Sequence, residues 1–178
     1  TISYNTNGAT GSPTGAQTSY TTSGSGLTFP SATGMTNIGY TLSGWSATPT
    51  GSVVTGTFVP TANTTLYAIW TPAQVTIGFS AGDVAISTPS GAALAVVSTT
   101  RAFGSNYTLP NIDSPTVTIS AQVYAFTGWK SSGGVTYAAG ASYSVEASGT
   151  TFTAQWIQQF VVTYVLNGGT AAGGDLST

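Results

Sequence analysis

The sequence predicts a mainly β protein assembled from similar units in tandem. Leu66, Ala68 and Trp70 alternate with Tyr67 and Ile69, which is the two-residue period of a strand with one buried face. The chain contains 23 Gly, and together with Ser and Thr they interrupt nearly every window in which a helical period might be sustained. Aromatic motifs also return along the chain in the same order, which indicates an internal repeat.

Four motifs make up this repeat. Each occurs at least twice, and the second unit begins with a looser version of the opening motif at 75–79. The most distinctive is Gly-Tyr-Thr-Leu-Ser-Gly-Trp, which ends at Trp45 and returns as Val-Tyr-Ala-Phe-Thr-Gly-Trp, ending at Trp129. The other three are an opening strand with an Asn-Gly turn (2–10 and 162–170), a middle segment ending in Pro (26–30 and 107–110) and a closing strand ending in Trp (64–70 and 150–156).

The motifs divide the chain into two complete units and the start of a third. We expect a first unit at residues 1–72, a second at 73–157 and the opening strand of an incomplete third at 158–178. The second unit carries an insertion near 85–97, which we expect to add or lengthen a strand. Residues 31–37 and 113–121 occupy the place where one short helix or helical turn could sit, although 114–119 within the second segment resemble an extra strand.

This arrangement resembles the Listeria–Bacteroides repeat, also called the internalin B-repeat family. The resemblance rests on Tyr164 to Thr170, Gly104 to Pro110, Tyr124 to Trp129 and Leu66 to Trp70. It implies tandem, small β-grasp-like modules with a mixed sheet and at most one short helix each. It also implies a structural repeat of a bacterial cell-surface or secreted protein, serving as a stalk, a spacer, or a filament or adhesin subunit.

Composition excludes several classes of function. Only 3% of the residues are charged, against about 25% in a typical domain. Two cations cannot neutralise a nucleic-acid backbone, and no apolar run approaches the length of a membrane span. There is no Cys and no His, which removes the usual thiolate nucleophile, neutral-pH base and transition-metal ligands.

The acidic residues do not suggest an enzyme. Asp83, Asp113, Glu146 and Asp175 lie in separate parts of the pattern, and nothing pairs two of them as glycoside hydrolysis requires. We therefore expect no enzymatic activity, no metal site and no cofactor, with a calcium site on a single Asp and backbone carbonyls as the most that the acids would support.

Tryptophan carries the main functional alternative. Trp45, Trp70, Trp129 and Trp156 recur at matching positions, which favours a structural core role because each large aromatic side chain buries much apolar area. Exposed in one groove, the same rings would stack on sugars. The alternative function is therefore a binding module that engages a glycan or a host-surface protein through exposed aromatics.

The strand at the start of the third unit has no partner strands of its own. Val161, Val162, Tyr164 and Leu166 would leave apolar surface and backbone groups unpaired. The chain is therefore expected either to be a fragment of a longer array of repeats or to pair head-to-tail with copies of itself. Asn63 and Asn106 begin Asn-x-Thr glycosylation motifs, and Lys130 is the one lysine available for a covalent cross-link, although a solvated role fits it better.

Overall fold

The described part of the chain folds into β-strands joined by turns and loops. The computed structural model describes residues 1–21, 25–81, 98–112, 116–119, 121–160 and 162. These residues form strands and turns without a helix, which confirms the mainly β prediction. The strands are β1 (Ile2–Asn5), β2 (Thr10–Gly11), β3 (Met35–Thr36), β4 (Tyr40–Ser46), β5 (Thr64–Pro72), β6 (Gln74–Ser80), β7 (Ser98–Ala102), β8 (Asn106–Thr108), β9 (Thr116–Ile119), β10 (Gln122–Ser131), β11 (Thr136–Tyr137), β12 (Ser142–Ser144) and β13 (Thr150–Gln159).

The two units are built around the same three strands. In the first unit the strand order is β1-β5-β4, with β1 parallel and β4 antiparallel to β5. In the second unit β6, β13 and β10 take the same order and the same directions. Each set of three strands is therefore mixed, and its central strand is the one that contains the repeated Ala-x-Trp motif.

The second unit adds strands to this common pattern. β7 extends the sheet beside β6, while β9 and β11 both pair with β10. β9 falls within the segment 114–119 that the sequence marks as an extra strand. The predicted insertion at 85–97 lies outside the described residues.

Residues 31–37, where the sequence allows a short helix or a helical turn, form turns and the short strand β3. β3 pairs with β2, and Gly11 lies opposite Met35 in that ladder. Gly34 has a φ of +86°, and a Cβ on it would overlap the backbone oxygen of Ser12. This close backbone approach and the left-handed conformation favour a turn over a helix.

Each unit has its own hydrophobic core. The buried residues of the first core all precede Ala73, and those of the second all follow it. The first core comprises Ile2, Leu27, Met35, Trp45, Leu66 and Ala68. The second comprises Val75, Ile77, Phe79, Ala81, Leu109, Ile112, Trp129, Tyr143, Val145, Phe152 and Ala154.

A β-bulge precedes the buried Trp in both units. The register of β4 against β5 shifts between Leu42 and Gly44, and that of β10 against β13 shifts between Phe126 and Gly128. Both glycines have positive φ, +150° for Gly44 and +144° for Gly128, a conformation that residues with a Cβ rarely adopt. The bulge turns the following Trp onto the core.

One residue separates the sheets of the two units. β5 ends at Pro72 and β6 begins at Gln74, so that only Ala73 lies between them. The Ala73 amide donates to the Gly39 carbonyl at 2.8 Å, and its carbonyl accepts from the Phe103 amide at 2.9 Å. The connection is thus hydrogen-bonded to both units.

The bulge glycine of the second unit provides a test of this fold. A Cβ at Gly128 would overlap the carbonyl oxygen of Tyr137, and the positive φ would be strained as well. We expect Gly128→Ala to lower the free energy of unfolding by about 2 kcal/mol or more, as measured by denaturant titration.

Gly133→Ala is the matched control in the neighbouring turn. The nearest atom to a Cβ at Gly133 is the Ser131 Oγ, 3.7 Å away, so the expected change is within about 0.5 kcal/mol. Equal effects of the two substitutions would contradict the role assigned to the bulge.

Candidate functional site

The buried tryptophans of the two units have matching environments. Trp45 is 2% exposed and its indole Nε1 donates to the Pro30 carbonyl at 2.8 Å. Trp129 is 0% exposed and donates to the Pro110 carbonyl, also at 2.8 Å. Because a buried N–H without an acceptor would cost about 1–3 kcal/mol, this bond allows the whole ring to enter the core.

An aromatic ring of the opening strand packs against each of these indoles. Tyr4 meets Trp45 edge-to-face, with 4.9 Å between centroids and an angle of 77°. Phe79 meets Trp129 at 5.1 Å and 71°. The indole therefore ties the opening strand, the Gly-Trp strand and the segment ending in Pro into one core.

The remaining two tryptophans are half-buried at the ends of the closing strands. Trp70 packs against the first core, and its Nε1 donates to the Thr6 carbonyl at 2.9 Å. Trp156 packs against the second core and against Phe126, 5.5 Å away. Its Nε1 is buried without a hydrogen-bond partner among the described residues. Trp70 and Trp156 lie in separate sheets, so they do not form one aromatic platform.

Trp70 and Tyr40 separate two adjoining pockets on the first unit. The larger, of about 570 Å³, lies between Trp70 and the turn before β4. The smaller, of about 350 Å³, lies between Trp70 and the turn after β4. Both are lined by Asn37, Tyr40 and Trp70; the larger adds Ser31, Ala32, Met35, Thr36, Thr41 and Leu42, and the smaller adds Asn7, Pro49, Thr50, Gly51 and Ile69. We call the two pockets together the Tyr40–Trp70 groove.

The Asn-Gly turn after β1 builds one wall of this groove. Asn7 has a φ of +51° and Gly8 a φ of +99°, the left-handed conformations that Asn and Gly tolerate best. The Asn7 Nδ2 donates to the carbonyls of Pro49 and Ala68, at 2.8 Å each. Both amide protons are thus used to hold the turn against the sheet.

Tyr40 is held from across the junction between the units. It is 39% exposed, and its ring lies edge-to-face with that of Phe103, 5.4 Å between centroids at 79°. Phe103 also packs against the core of the second unit. The orientation of Tyr40 in the groove therefore depends on both units.

The described charged side chains do not form a catalytic cluster. Glu146 lines a pocket with Tyr137, Tyr143 and several Ser and Gly residues. Lys130 is exposed on β10, and Arg101 lies over the Tyr107 ring at 4.9 Å. Asp83, Asp113 and Asp175 lie outside the described residues. Within the described part of the chain there is no group of acidic residues that would hold a metal, and no helix suited to crossing a membrane.

The strand expected to pair between copies is mostly outside the described residues. Val162 is described and is 69% exposed, whereas Val161, Tyr164 and Leu166 are not described. Asn63 and Asn106, which begin the two glycosylation motifs, are both exposed.

Tyr40, Asn37 and Phe103 were not singled out from the sequence. The alternation of β4 places Tyr40 on the same face as Leu42, which packs against the core. That alternation predicts an inward side chain, but the core ends before it reaches Tyr40. Phe103 has no counterpart in the repeat, so no pattern marked it.

Tyr4 offers a test of how the two cores differ. Its hydroxyl is buried without a hydrogen-bond partner among the described residues, and burial raises its pKa above the ordinary value. The second unit has Phe79 in the same ring contact. We expect Tyr4→Phe to raise the free energy of unfolding by about 1 kcal/mol at neutral pH, because it removes an unsatisfied polar group.

The substitution should also change the response to alkali. Because the pKa is raised on folding, the folded state holds the hydroxyl proton more tightly than the unfolded state does. The resulting stability is fully present below the unfolded-state pKa and is lost as pH rises through the folded-state pKa. Tyr4→Phe should therefore lose less stability above pH 10. Tyr67→Phe, on the opposite face of β5, is the control; a loss of stability in Tyr4→Phe at neutral pH would contradict this account.

Comparisons with known proteins find one similarity, which lies in the first unit. No curated protein and no solved structure matches the chain. The family model of the Listeria-Bacteroides repeat domain matches residues 1–69, which span β1 to most of β5. The resemblance stated from the sequence is thus confirmed for this part of the chain. Residues 1–69 are therefore similar to a Listeria-Bacteroides repeat domain.

Proposed function

We propose that the chain is a non-enzymatic structural repeat of a bacterial cell-surface or secreted protein, acting as a stalk or spacer. It would consist of β-grasp-like modules at 1–72 and 73–157, followed by the opening strand of a further module at 158–178. The observation that carries this proposal is the one-residue junction at Ala73, which is hydrogen-bonded to both units. The match to a repeat family of bacterial surface proteins supports it.

The junction limits motion between the units through three contacts. Ala73 is hydrogen-bonded to Gly39 on one side and Phe103 on the other. The Tyr40 and Phe103 rings add an edge-to-face contact, a type of pair that contributes about 0.5–1.5 kcal/mol. A one-residue connection with bonds to both units has few ways to bend, which suits a spacer of fixed length.

Gly39 makes this close contact possible. Its φ is +80°, and a Cβ at this position would overlap the Phe103 ring. The second unit can therefore approach the first more closely than any residue with a side chain would allow.

Residue content supports a non-catalytic role. The chain has no His, no Cys and only six charged residues. Surfaces of Thr, Ser, Gly and Ala carry little charge repulsion, which is compatible with repeats packed one after another in a longer array or in a head-to-tail assembly of copies.

The rigidity of the junction is measurable by electron spin resonance. Because the chain has no Cys, Ala47→Cys and Ala139→Cys, both exposed, would place one spin label on each unit. We expect a single narrow distance between the labels. Phe103→Ala should broaden the distribution, since it removes the ring contact and leaves a cavity beside Gly39.

Val59→Ala is the control for this measurement, because Val59 is 43% exposed and lies outside the junction. Circular dichroism of each variant checks that both units stay folded. A broad distribution in the parent protein, or a narrow one in Phe103→Ala, would argue against a rigid spacer.

A second candidate function is a binding module. The observation that favours it is the Tyr40–Trp70 groove, in which one exposed and one half-buried aromatic side chain face an open pocket. Trp45 and Trp129 are buried and do not take part. This function and that of a spacer are compatible in one chain.

A further inference from the structure

We infer that the Tyr40–Trp70 groove binds a neutral oligosaccharide; this rests on the second candidate function and names its ligand class. A groove that recognises sugar needs an aromatic surface for the apolar face of the ring and a few polar groups for its hydroxyls. It also needs a lining whose charge matches the ligand.

The aromatic surface is supplied by two rings at the end of the sheet. Trp70 lies opposite Leu42 in the ladder between β4 and β5, and Tyr40 lies opposite Pro72 on the same face. Tyr40 and Trp70 are thus diagonal neighbours across the strands, at a separation that long aromatic side chains bridge. Their shared pocket walls give an extended surface of the kind on which a pyranose ring packs.

Polar groups flank these rings. The Asn37 side chain is half-buried, lines both pockets, and makes no hydrogen bond to any described residue. Its amide offers two donors and one acceptor, the set that pairs with vicinal hydroxyls. Asn7, by contrast, uses its amide protons to hold the turn and shapes the wall only.

Among the described residues that line the groove there is no Asp, Glu, Lys or Arg. A carboxylated or sulfated sugar would therefore bring a charge into the groove without a partner, at a cost that a neutral sugar avoids. The volumes, about 570 and 350 Å³, fall in the range of small-ligand pockets. Two adjoining pockets would suit two linked sugar rings better than a monosaccharide.

Phe103 is a positioning residue for this site. Its ring fixes Tyr40 from the second unit, so the platform exists before the ligand arrives, and preorganisation reduces the entropic cost of binding. The second unit therefore contributes to the site by orienting Tyr40.

The second unit differs at the corresponding place. Tyr124 occupies the position of Tyr40 in the repeated motif, but β9 pairs along this end of β10, with Val117 opposite Tyr124. Val117 also packs against the second core. This difference restricts the proposed site to the first unit and makes Tyr124→Ala a matched control for Tyr40→Ala.

The test is titration of the full chain with cellohexaose, mannohexaose and N-acetylchitohexaose, and with hexagalacturonic acid as the charged counterpart. Binding is followed by tryptophan fluorescence and by NMR shifts of Tyr40 and Trp70, up to about 10 mM ligand. We expect at least one neutral oligosaccharide to bind and the charged one to bind more weakly.

Variants then locate the site. Tyr40→Ala should weaken binding about tenfold or more, equivalent to about 1.4 kcal/mol, whereas Tyr40→Phe keeps the ring and should retain most affinity. Phe103→Ala should weaken binding by a smaller factor, and Phe103→Leu should restore part of it. Tyr124→Ala should leave the affinity unchanged.

Three results would overturn the inference. They are the absence of binding by every neutral oligosaccharide, stronger binding of the charged one, and an equal loss of affinity in Tyr124→Ala and Tyr40→Ala. A fourth result would indicate a protein partner instead: the chain binds a deglycosylated protein, Tyr40→Ala abolishes that binding, and no sugar binds.

The spin-label distance separates this inference from the spacer proposal. A narrow distance between the labels without sugar binding would support the spacer proposal and contradict the glycan site. Sugar binding together with a broad distance between the labels would support the glycan site and contradict the rigid spacer.

Discussion

The hydrogen bond from a buried indole to a proline carbonyl is the interaction on which each unit depends. Trp45 and Trp129 each bring a large apolar ring with one obligatory donor into a small core. The acceptor is the carbonyl of the proline that ends the middle segment, which precedes the Gly-Trp strand. The hydrogen bond therefore fixes how this segment packs against the sheet. Removing either partner would leave a buried polar group unpaired.

Other features of the unit follow from placing that indole. The bulge and its glycine turn the ring inward, and the edge-to-face partner in the opening strand fixes a strand that pairs parallel to the closing strand. The opening and closing strands run parallel, and a parallel pair needs a long connection. The segment ending in Pro and the Gly-Trp strand lie within that connection. The closing Trp is then left at the open end of the sheet, half-buried and free to take another role.

The repeat made the common part of the fold predictable from sequence. The motifs ending at Trp45 and Trp129 mark equivalent strands, and the structure gives both the same partner strands and the same acceptor. At 31–37, where the sequence allows a short helix or a helical turn, a turn forms because the pairing of Gly11 with Met35 brings two backbones together. Phe103 could not be predicted, because its contact with Tyr40 joins two units and no local pattern reports such a contact.

Hydrogen exchange of the indole protons, followed by NMR, measures how firmly the indole–proline bond holds each core. If the indole–proline bond anchors each core, the Nε1 protons of Trp45 and Trp129 exchange only through global unfolding, about 10³-fold or more slower than an exposed indole. The Trp70 proton, at the half-buried end of β5, should exchange faster. Rapid exchange at Trp45 or Trp129 in the folded chain would contradict the account.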